Sequence, residues 1–249
     1  MNNETKFEEI SKNCSIAHND SLKILEVMKK KSVDMILTDP PYNLGKFMHD
    51  RNTNMGKLRK NHFSAAGWDK LDYDNWYERM DEFFTNAARV IKIGGTMIVF
   101  MSIMKAETII ELAEKHGFYY KTTGIWHKKN PMPRNMNLHF INSTESWIYF
   151  TYKKHTGTFN NKGKAIHDFV ETGLTPATEK KYGVHPTQKP EEVVEHFILI
   201  LTNKGDTILD PFMGSGTTAV VCKNLGRKFI GVEISKKYFN IAKKRIRKT

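Results

Sequence analysis

A carboxylate, two prolines and a phenol stand together in Asp39-Pro40-Pro41-Tyr42, directly after the apolar run Val33 to Thr38. The prolines stiffen the backbone and hold it out of helical conformation. They fix an anionic acceptor, the prolyl carbonyls and an aromatic ring at the carboxyl end of a strand, where open α/β sheets bind ligands. The plain alternative is a strand-ending turn with a surface Asp and a packed Tyr.

A second set is Asp210-Pro211-Phe212-Met213-Gly214-Ser215-Gly216-Thr217-Thr218, between the apolar run Thr207 to Leu209 and a helical pattern. Its glycines let the backbone turn sharply and approach a ligand closely. With Ala219 it satisfies G-x-G-x-x-A, and Glu233 follows Gly214 by 19 residues at the next strand end. An acid there is placed to accept from ribose hydroxyls. Dinucleotide sites share this pattern, so alone it does not name the nucleotide. A third set, His185-Pro186-Thr187-Gln188-Lys189-Pro190, opens a helix. Small polar and cationic groups at a helix start suit the carboxylate of an amino-acid ligand. Alone it reads as an ordinary helix start with Pro near its first turn.

These sets need a scaffold that brings distant strand ends together. Short apolar runs occur at Ser15 to His18, Val33 to Thr38, Gly95 to Met101, Thr207 to Leu209 and Lys228 to Val232. They suit strands covered on both faces. Between them lie helical patterns at Ser21 to Lys30, with Leu22, Leu25, Val27 and Met28 on one side, and at Trp76 to Val90. Others run from Lys105 to His116, Glu191 to Leu201, Thr217 to Leu225 and Tyr238 to Ile246. Alternating strands and helices predict a doubly wound, mostly parallel α/β sheet. Tyr119 to Trp126 and Ser146 to Tyr152 read as an antiparallel pair at its edge. A chain of 249 residues suits one such domain, spanning 1–249. Two segments resist the pattern, the basic stretch 44–67 and the interrupted stretch 130–183. Long loops of this kind are functional or disordered.

Composition narrows the partners. The chain carries 39 Lys+Arg against 27 Asp+Glu, a net charge of +12. That surplus fits a polyanion, although basicity alone also fits a Lys-rich solvated surface. No apolar run approaches the roughly 20 residues that cross a bilayer, and Met1 to Lys6 lacks the shape of a signal peptide. No membrane partner is expected. Cys14 and Cys222 lie far apart, in no metal-ligand spacing, and no His-x-x-x-His pair occurs. The expectation is a cytoplasmic, metal-free protein without disulfides.

Taken together, the sets resemble the beta class of amino-DNA methyltransferases, in which Asp-Pro-Pro-Tyr precedes the glycine-rich motif. The resemblance runs from about Ser15 to the C-terminus. Asn130 to Asn135 is similar to a subgroup of small type II adenine methyltransferases, whereas Lys46 to Ala66 and most of Asn160 to Gly183 match nothing in the class. The resemblance implies a Rossmann-like fold with permuted motif order, S-adenosylmethionine as cofactor and double-stranded DNA as substrate. It implies catalysis by Asp39, Pro40, Pro41 and Tyr42. Asp39 and the Pro40 carbonyl would accept from the target amine, while Tyr42 would stack on a flipped-out base. Cofactor contacts would come from Asp20, Thr187, Lys189, Asp210, Phe212, Gly214, Ser215, Gly216, Thr217, Thr218 and Glu233. Among these, Thr187 and Lys189 would sit near the methionine carboxylate and Asp20 near the adenine moiety. For Asp20, helix capping is a second role. Asp39 favours adenine N6, because N4-cytosine members usually carry Ser at that position. A mobile loop at 44–67 would bring Lys57, Arg59 and Lys60 to DNA phosphates. A target-recognition insertion at 130–183 would bring Arg134, Asn135, Asn137 and His139 to the bases, with a solvated loop as the alternative. A homodimer and a cognate restriction endonuclease are further partners in keeping with the class, and the setting would be the bacterial nucleoid.

Other chemistries fit these residues less well. None of the eight prolines precedes a Cys, which disfavours covalent cytosine C5 methylation. A dinucleotide-dependent oxidoreductase would use Gly214, Gly216 and Glu233, but only 33 residues follow Gly216. That is too few for a βαβαβ half. A catalytically dead DNA-binding protein would not need both motifs intact. N4-cytosine methylation remains open on these residues.

Overall fold

The computed structural model describes residues 6–43, 72–133, 137 and 140–249. Within them one sheet contains, in chain order, β1 (Glu8–Ser11), β2 (Cys14–His18), β3 (Val33–Thr38), β4 (Ile91–Met101), β5 (Phe118–Lys128), β6 (Thr144–Tyr152), β7 (Phe169–Thr172), β8 (Thr207–Asp210) and β9 (Lys228–Glu233). The helices are α1 (Ser21–Val27), α2 (Tyr73–Val90), α3 (Ala106–Lys115), α4 (Glu191–Leu201), α5 (Thr217–Asn224) and α6 (Lys236–Lys248). Every apolar run singled out above lies within a strand, and every helical pattern yields a helix.

Strand order is β1-β2-β9-β8-β3-β4-β6-β5-β7. The pairs β2–β9, β9–β8, β8–β3 and β3–β4 are parallel. Side chains alternate between two apolar layers, as a sheet covered on both faces requires. Ile36, Met97, Val99 and Leu209 face α1, α2 and α3. Met35, Leu37, Ile98 and Ile208 face α4, α5 and α6.

The connections set the position of the site. From β3 the chain crosses through α2 to β4, on one side of it. From β8 it crosses through α5, on the opposite face, to β9 on the other side. Neighbouring strands β3 and β8 thus lead away from each other, and a crevice opens at their carboxyl ends. This is the topological switch point at which ligands bind in open α/β sheets. The residues at that point are Asp39 and Asp210.

Two expectations need correction, and one strand carries no signal in the sequence. β5 and β6 are antiparallel, but they are not the edge. β7, from the segment 160–183, pairs parallel to β5 and takes that place. At the other edge, β1 pairs antiparallel to β2. Its sequence EEIS carries too little apolar alternation to register as a strand. In α1 the buried face is Leu22, Ile24 and Leu25. Val27 is exposed, because the helix ends there and Met28 leaves it in an extended conformation.

Candidate active site

The Asp39 carboxylate holds two donors. Oδ1 accepts from the Tyr42 hydroxyl at 2.7 Å and Oδ2 from Lys189 Nζ at 2.5 Å. Asp-Pro-Pro-Tyr therefore folds back on itself, with the phenol locked onto the acid. The turn is anchored to the core beneath it. The Pro41 carbonyl accepts from the indole N–H of Trp76 at 3.2 Å, and Trp76 is wholly buried in α2. Pro40 is buried as well. Burial pushes the Asp39 carboxyl above its ordinary range, against the pull of the Lys189 charge.

One strand over, the Asp210 carboxylate accepts from the Thr218 hydroxyl at 2.7 Å and the Phe212 N–H at 3.1 Å. Burial pushes it up to about 7. The glycine-rich turn continues from there into α5. Gly214 and Gly216 both have positive φ, 52° and 79°, so a side chain at either would strain the backbone. A Cβ on Gly214 would meet the His185 ring, and one on Gly216 would meet Ala242 of α6 at 2.9 Å. Gly216 thus lets α6 pack closely against the turn. Glu233 closes the turn. Its Oε2 accepts from Gly214 N–H at 3.0 Å and its Oε1 from Ser235 N–H at 2.7 Å. Burial pushes Glu233 up to about 7.

The three sequence sets meet in one cleft. Its lining includes Asp39, Thr187, Lys189, Asp210, Phe212, Gly214, Ser215, Thr217 and Thr218. Gly216, Tyr42 and Glu233 are absent from that lining, although Tyr42 and Glu233 are hydrogen-bonded to Asp39 and Gly214, which belong to it. Asp20 is the N-cap of α1, accepting from Leu22 N–H, and it pairs with Arg79 of α2 at 2.9 Å. It stands just past β2, whose His18 is in register with Glu233. Its capping role is the one the geometry displays. Asn137 is exposed. Lys57, Arg59, Lys60, Arg134, Asn135 and His139 lie outside the described residues.

Lys189 is more deeply engaged than its place at a helix start implied. It is buried, and its ammonium bridges Asp39 and Glu145, the latter at 3.1 Å. Burial works against its charge, yet the two carboxylates hold its pKa above the ordinary lysine value. Sequence reasoning missed Glu145 altogether. A charged residue next to the start of a strand carries no signal of its own.

Arg245 was missed too, for a different reason. It belongs to a run of lysines and arginines in α6 that reads as a solvated face. In the fold it is only 2% exposed. Its guanidinium donates to the Ser215 carbonyl, the Ser215 and Thr217 hydroxyls and Glu191 of α4, at 2.8 to 3.1 Å. Ser215 in turn donates to the Gln188 side chain at 2.9 Å. Arg245 thus staples the glycine turn to the segment that opens α4. Breaking a buried pair of this kind costs about 3 kcal/mol or more. Arg245→Met is expected to lower the midpoint of thermal unfolding by roughly 6–12 °C, as followed by circular dichroism.

Among the described residues, no cluster of His, Cys, Asp and Glu could hold a metal ion, and no helix is long and apolar enough to cross a membrane.

Comparison with known proteins fits this geometry. A type II methyltransferase of Lactococcus lactis subsp. cremoris, M2.LlaDCHI, is 38% identical over 246 residues, which cover 95% of this chain and 90% of the relative. The crystal structure of M1.HpyAVI in complex with SAM is 31% identical with a TM-score of 0.68, covering 94% of this chain and 99% of that one. The cytosine-N4-specific PvuII DNA methyltransferase has a TM-score of 0.74 at 19% identity, covering 94% and 86%, a likeness of fold alone. The sequence profile of the N6/N4 DNA methylase family matches residues 33–244. With these matches and the motifs gathered at one switch point, the chain belongs to the N6/N4 DNA methylase family.

Proposed function

We propose that this DNA methylase transfers a methyl group from S-adenosylmethionine to adenine N6, with Asp39 as the catalytic acceptor. The carrying observation is that Asp39 and the glycine turn after Asp210 line a single cleft. The donor set fits this cofactor. Asp39, Asp210 and Glu233 are acids that burial has raised above their ordinary values, and a cationic ligand would relieve that strain. Glu233 uses one acceptor position on each oxygen for the turn, which leaves others for ribose hydroxyls. Two buried cleft atoms, Thr38 Oγ1 and His185 Nδ1, have no hydrogen-bond partner among the described residues.

When bound, the cofactor supplies an electrophilic methyl group on a cationic sulfur. Asp39 and the Pro40 carbonyl accept from the two N–H groups of the amine. That withdraws the nitrogen lone pair from the ring and aims it across the cleft. Lys189 and Tyr42 fix the carboxylate while it does so. Positioning and charge placement supply the rate, and Tyr42 offers a face to a base that must leave the duplex to reach this cleft. Incubation with labelled S-adenosylmethionine and duplex DNA should place label in the DNA. Labelling by a nicotinamide dinucleotide instead would contradict the reading.

We further propose phosphate contacts at Lys57, Arg59 and Lys60, and base contacts at Arg134, Asn135, Asn137 and His139, in the part of the segment 130–183 that precedes β6. The rest of that segment is no insertion, since it supplies β6 and β7 to the sheet. Replacing the first three with Ala is expected to weaken DNA binding alike on all sequences. The slope of log affinity against log salt should flatten by about 0.9 per lost contact. Fluorescence anisotropy on two unrelated duplexes measures both. The same reading expects a homodimer in the nucleoid with a cognate endonuclease as partner; of its relative, the name says only that it is a type II methyltransferase.

A further inference from the structure

Asp39 stands at the end of an ion-pair chain that leaves the motif set. Lys128 of β5 meets Glu145 at 2.5 Å, Glu145 meets Lys189 at 3.1 Å, and Lys189 meets Asp39 at 2.5 Å. The chain alternates in sign and is neutral over its four members. It spans β5, β6, the segment before α4 and the end of β3. Register explains how it forms. Glu145 pairs with Trp126 on β5, and its neighbour Ser146 pairs with Met101 at the end of β4. The hydroxyl of Ser146 donates to the Met101 carbonyl, which ties β6 to the strand beside β3. From there the Glu145 carboxylate reaches the buried ammonium. Phe100 closes over that ammonium, its ring centroid 4.8 Å from Nζ.

A lysine so buried has few positions open to it. With Glu145 on one side and Asp39 on the other, its charge is satisfied at one place, and any departure leaves a buried charge short of a partner. We propose that Glu145 is a positioning residue for methyl transfer: by sharing and restraining Lys189, it sets both the orientation of the Asp39 carboxylate and how much positive charge that carboxylate feels. This rests on the reading of Asp39 as the catalytic acceptor, and it gives Lys189 a task other than holding the cofactor's carboxylate.

The groups that bear on Asp39 can be named. Lys189 faces it from the segment before α4, Glu145 from β6, Tyr42 from its own loop and Asp210 from the end of β8. Lys128 stands behind Glu145. Removing the Glu145 charge leaves Lys189 to Asp39 alone, so Asp39 should ionise at lower pH. Removing the Lys189 charge leaves two carboxylates without their shared cation, so Asp39 should ionise at higher pH.

The test is the single-turnover rate of methyl transfer, with S-adenosylmethionine and duplex DNA saturating, from pH 5.5 to 9. It compares the wild-type chain, Glu145→Gln, Lys189→Gln and Asp39→Asn, with cofactor affinity measured by calorimetry for each. Glu145→Gln should move the acid limb to lower pH and reduce the plateau by roughly 10- to 100-fold as the carboxylate loses its fixed orientation. Lys189→Gln should move the limb to higher pH with cofactor affinity changed less than about threefold. If Lys189→Gln does not fold, Glu145→Gln alone decides. Variants that slow equally at every pH, with the limb unmoved, would make the chain merely structural and overturn the proposal. A loss of cofactor affinity in Lys189→Gln without a moved limb would overturn it as well. An active Asp39→Asn would instead remove the reading on which it rests.

Discussion

The Asp39→Asn chain is expected to fold, to bind DNA as before, to retain cofactor binding through Asp210 and Glu233, and to lose methyl transfer by about 100- to 1,000-fold, the scale seen when one preorganised electrostatic group is removed. The geometry explains the size. Asp39 meets a donor at each oxygen, Tyr42 at one and Lys189 at the other. The amide keeps one carbonyl oxygen, which must go to Lys189 because an ammonium cannot accept. The amide nitrogen then faces Tyr42, where the amine would otherwise find an acceptor. The charge that would balance the developing positive amine is lost too. Rates come from methyl incorporation in a single turnover, and cofactor affinity from calorimetry. A folded Asp39→Asn chain with more than about a tenth of the wild-type rate contradicts the mechanism.

The second large effect concerns Glu233. In Glu233→Ala the acceptors assigned to the ribose hydroxyls disappear. One hydrogen bond to a charged group contributes about 1.5–3 kcal/mol, so affinity should fall roughly 10- to 150-fold. The cofactor and its demethylated product share the ribose, and both should weaken in the same ratio. An unchanged affinity would move the cofactor site elsewhere.

Glu233 and Asp210 also give the free chain a pH signature. Both are pushed up to about 7 by burial, above their values in an unfolded chain. Their protonated forms therefore favour the fold. That contribution is complete below the ordinary carboxylate range and is lost as pH rises to about 7. A cationic ligand prefers the ionised forms. Between about pH 6 and 8, the cofactor-free chain should melt earlier while its affinity for S-adenosylmethionine increases.

Much of this was legible in the sequence, because the strands and their terminal motifs are local. Asp39 and Asp210 each end an apolar run, and alternation with helices places both at one end of a parallel sheet. Gly214 and Gly216 announced a tight turn, although what Gly216 accommodates is α6. The misses within the site are long-range. Lys189 finds Asp39 across 150 positions of sequence. Glu145 matters only because β6 runs beside β4. Arg245 looks like one more surface cation until α6 packs over the glycine turn. β7 and β1 are short strands with mixed composition, recruited to the sheet edges by partners that already exist. Periodicity reports which face a residue turns inward, whereas pairing between distant elements depends on topology.

The target base is the central claim. Adenine N6 and cytosine N4 both present two N–H groups to an acceptor pair, so the chemistry of Asp39 serves either. The fold does not separate them, since a cytosine-N4-specific enzyme shares it. Adenine rests on the acid at position 39. The direct measurement is to methylate duplex DNA with the purified chain, digest it to nucleosides and identify the product by mass spectrometry. The account predicts N6-methyldeoxyadenosine, and N4-methyldeoxycytidine as the sole product would contradict it.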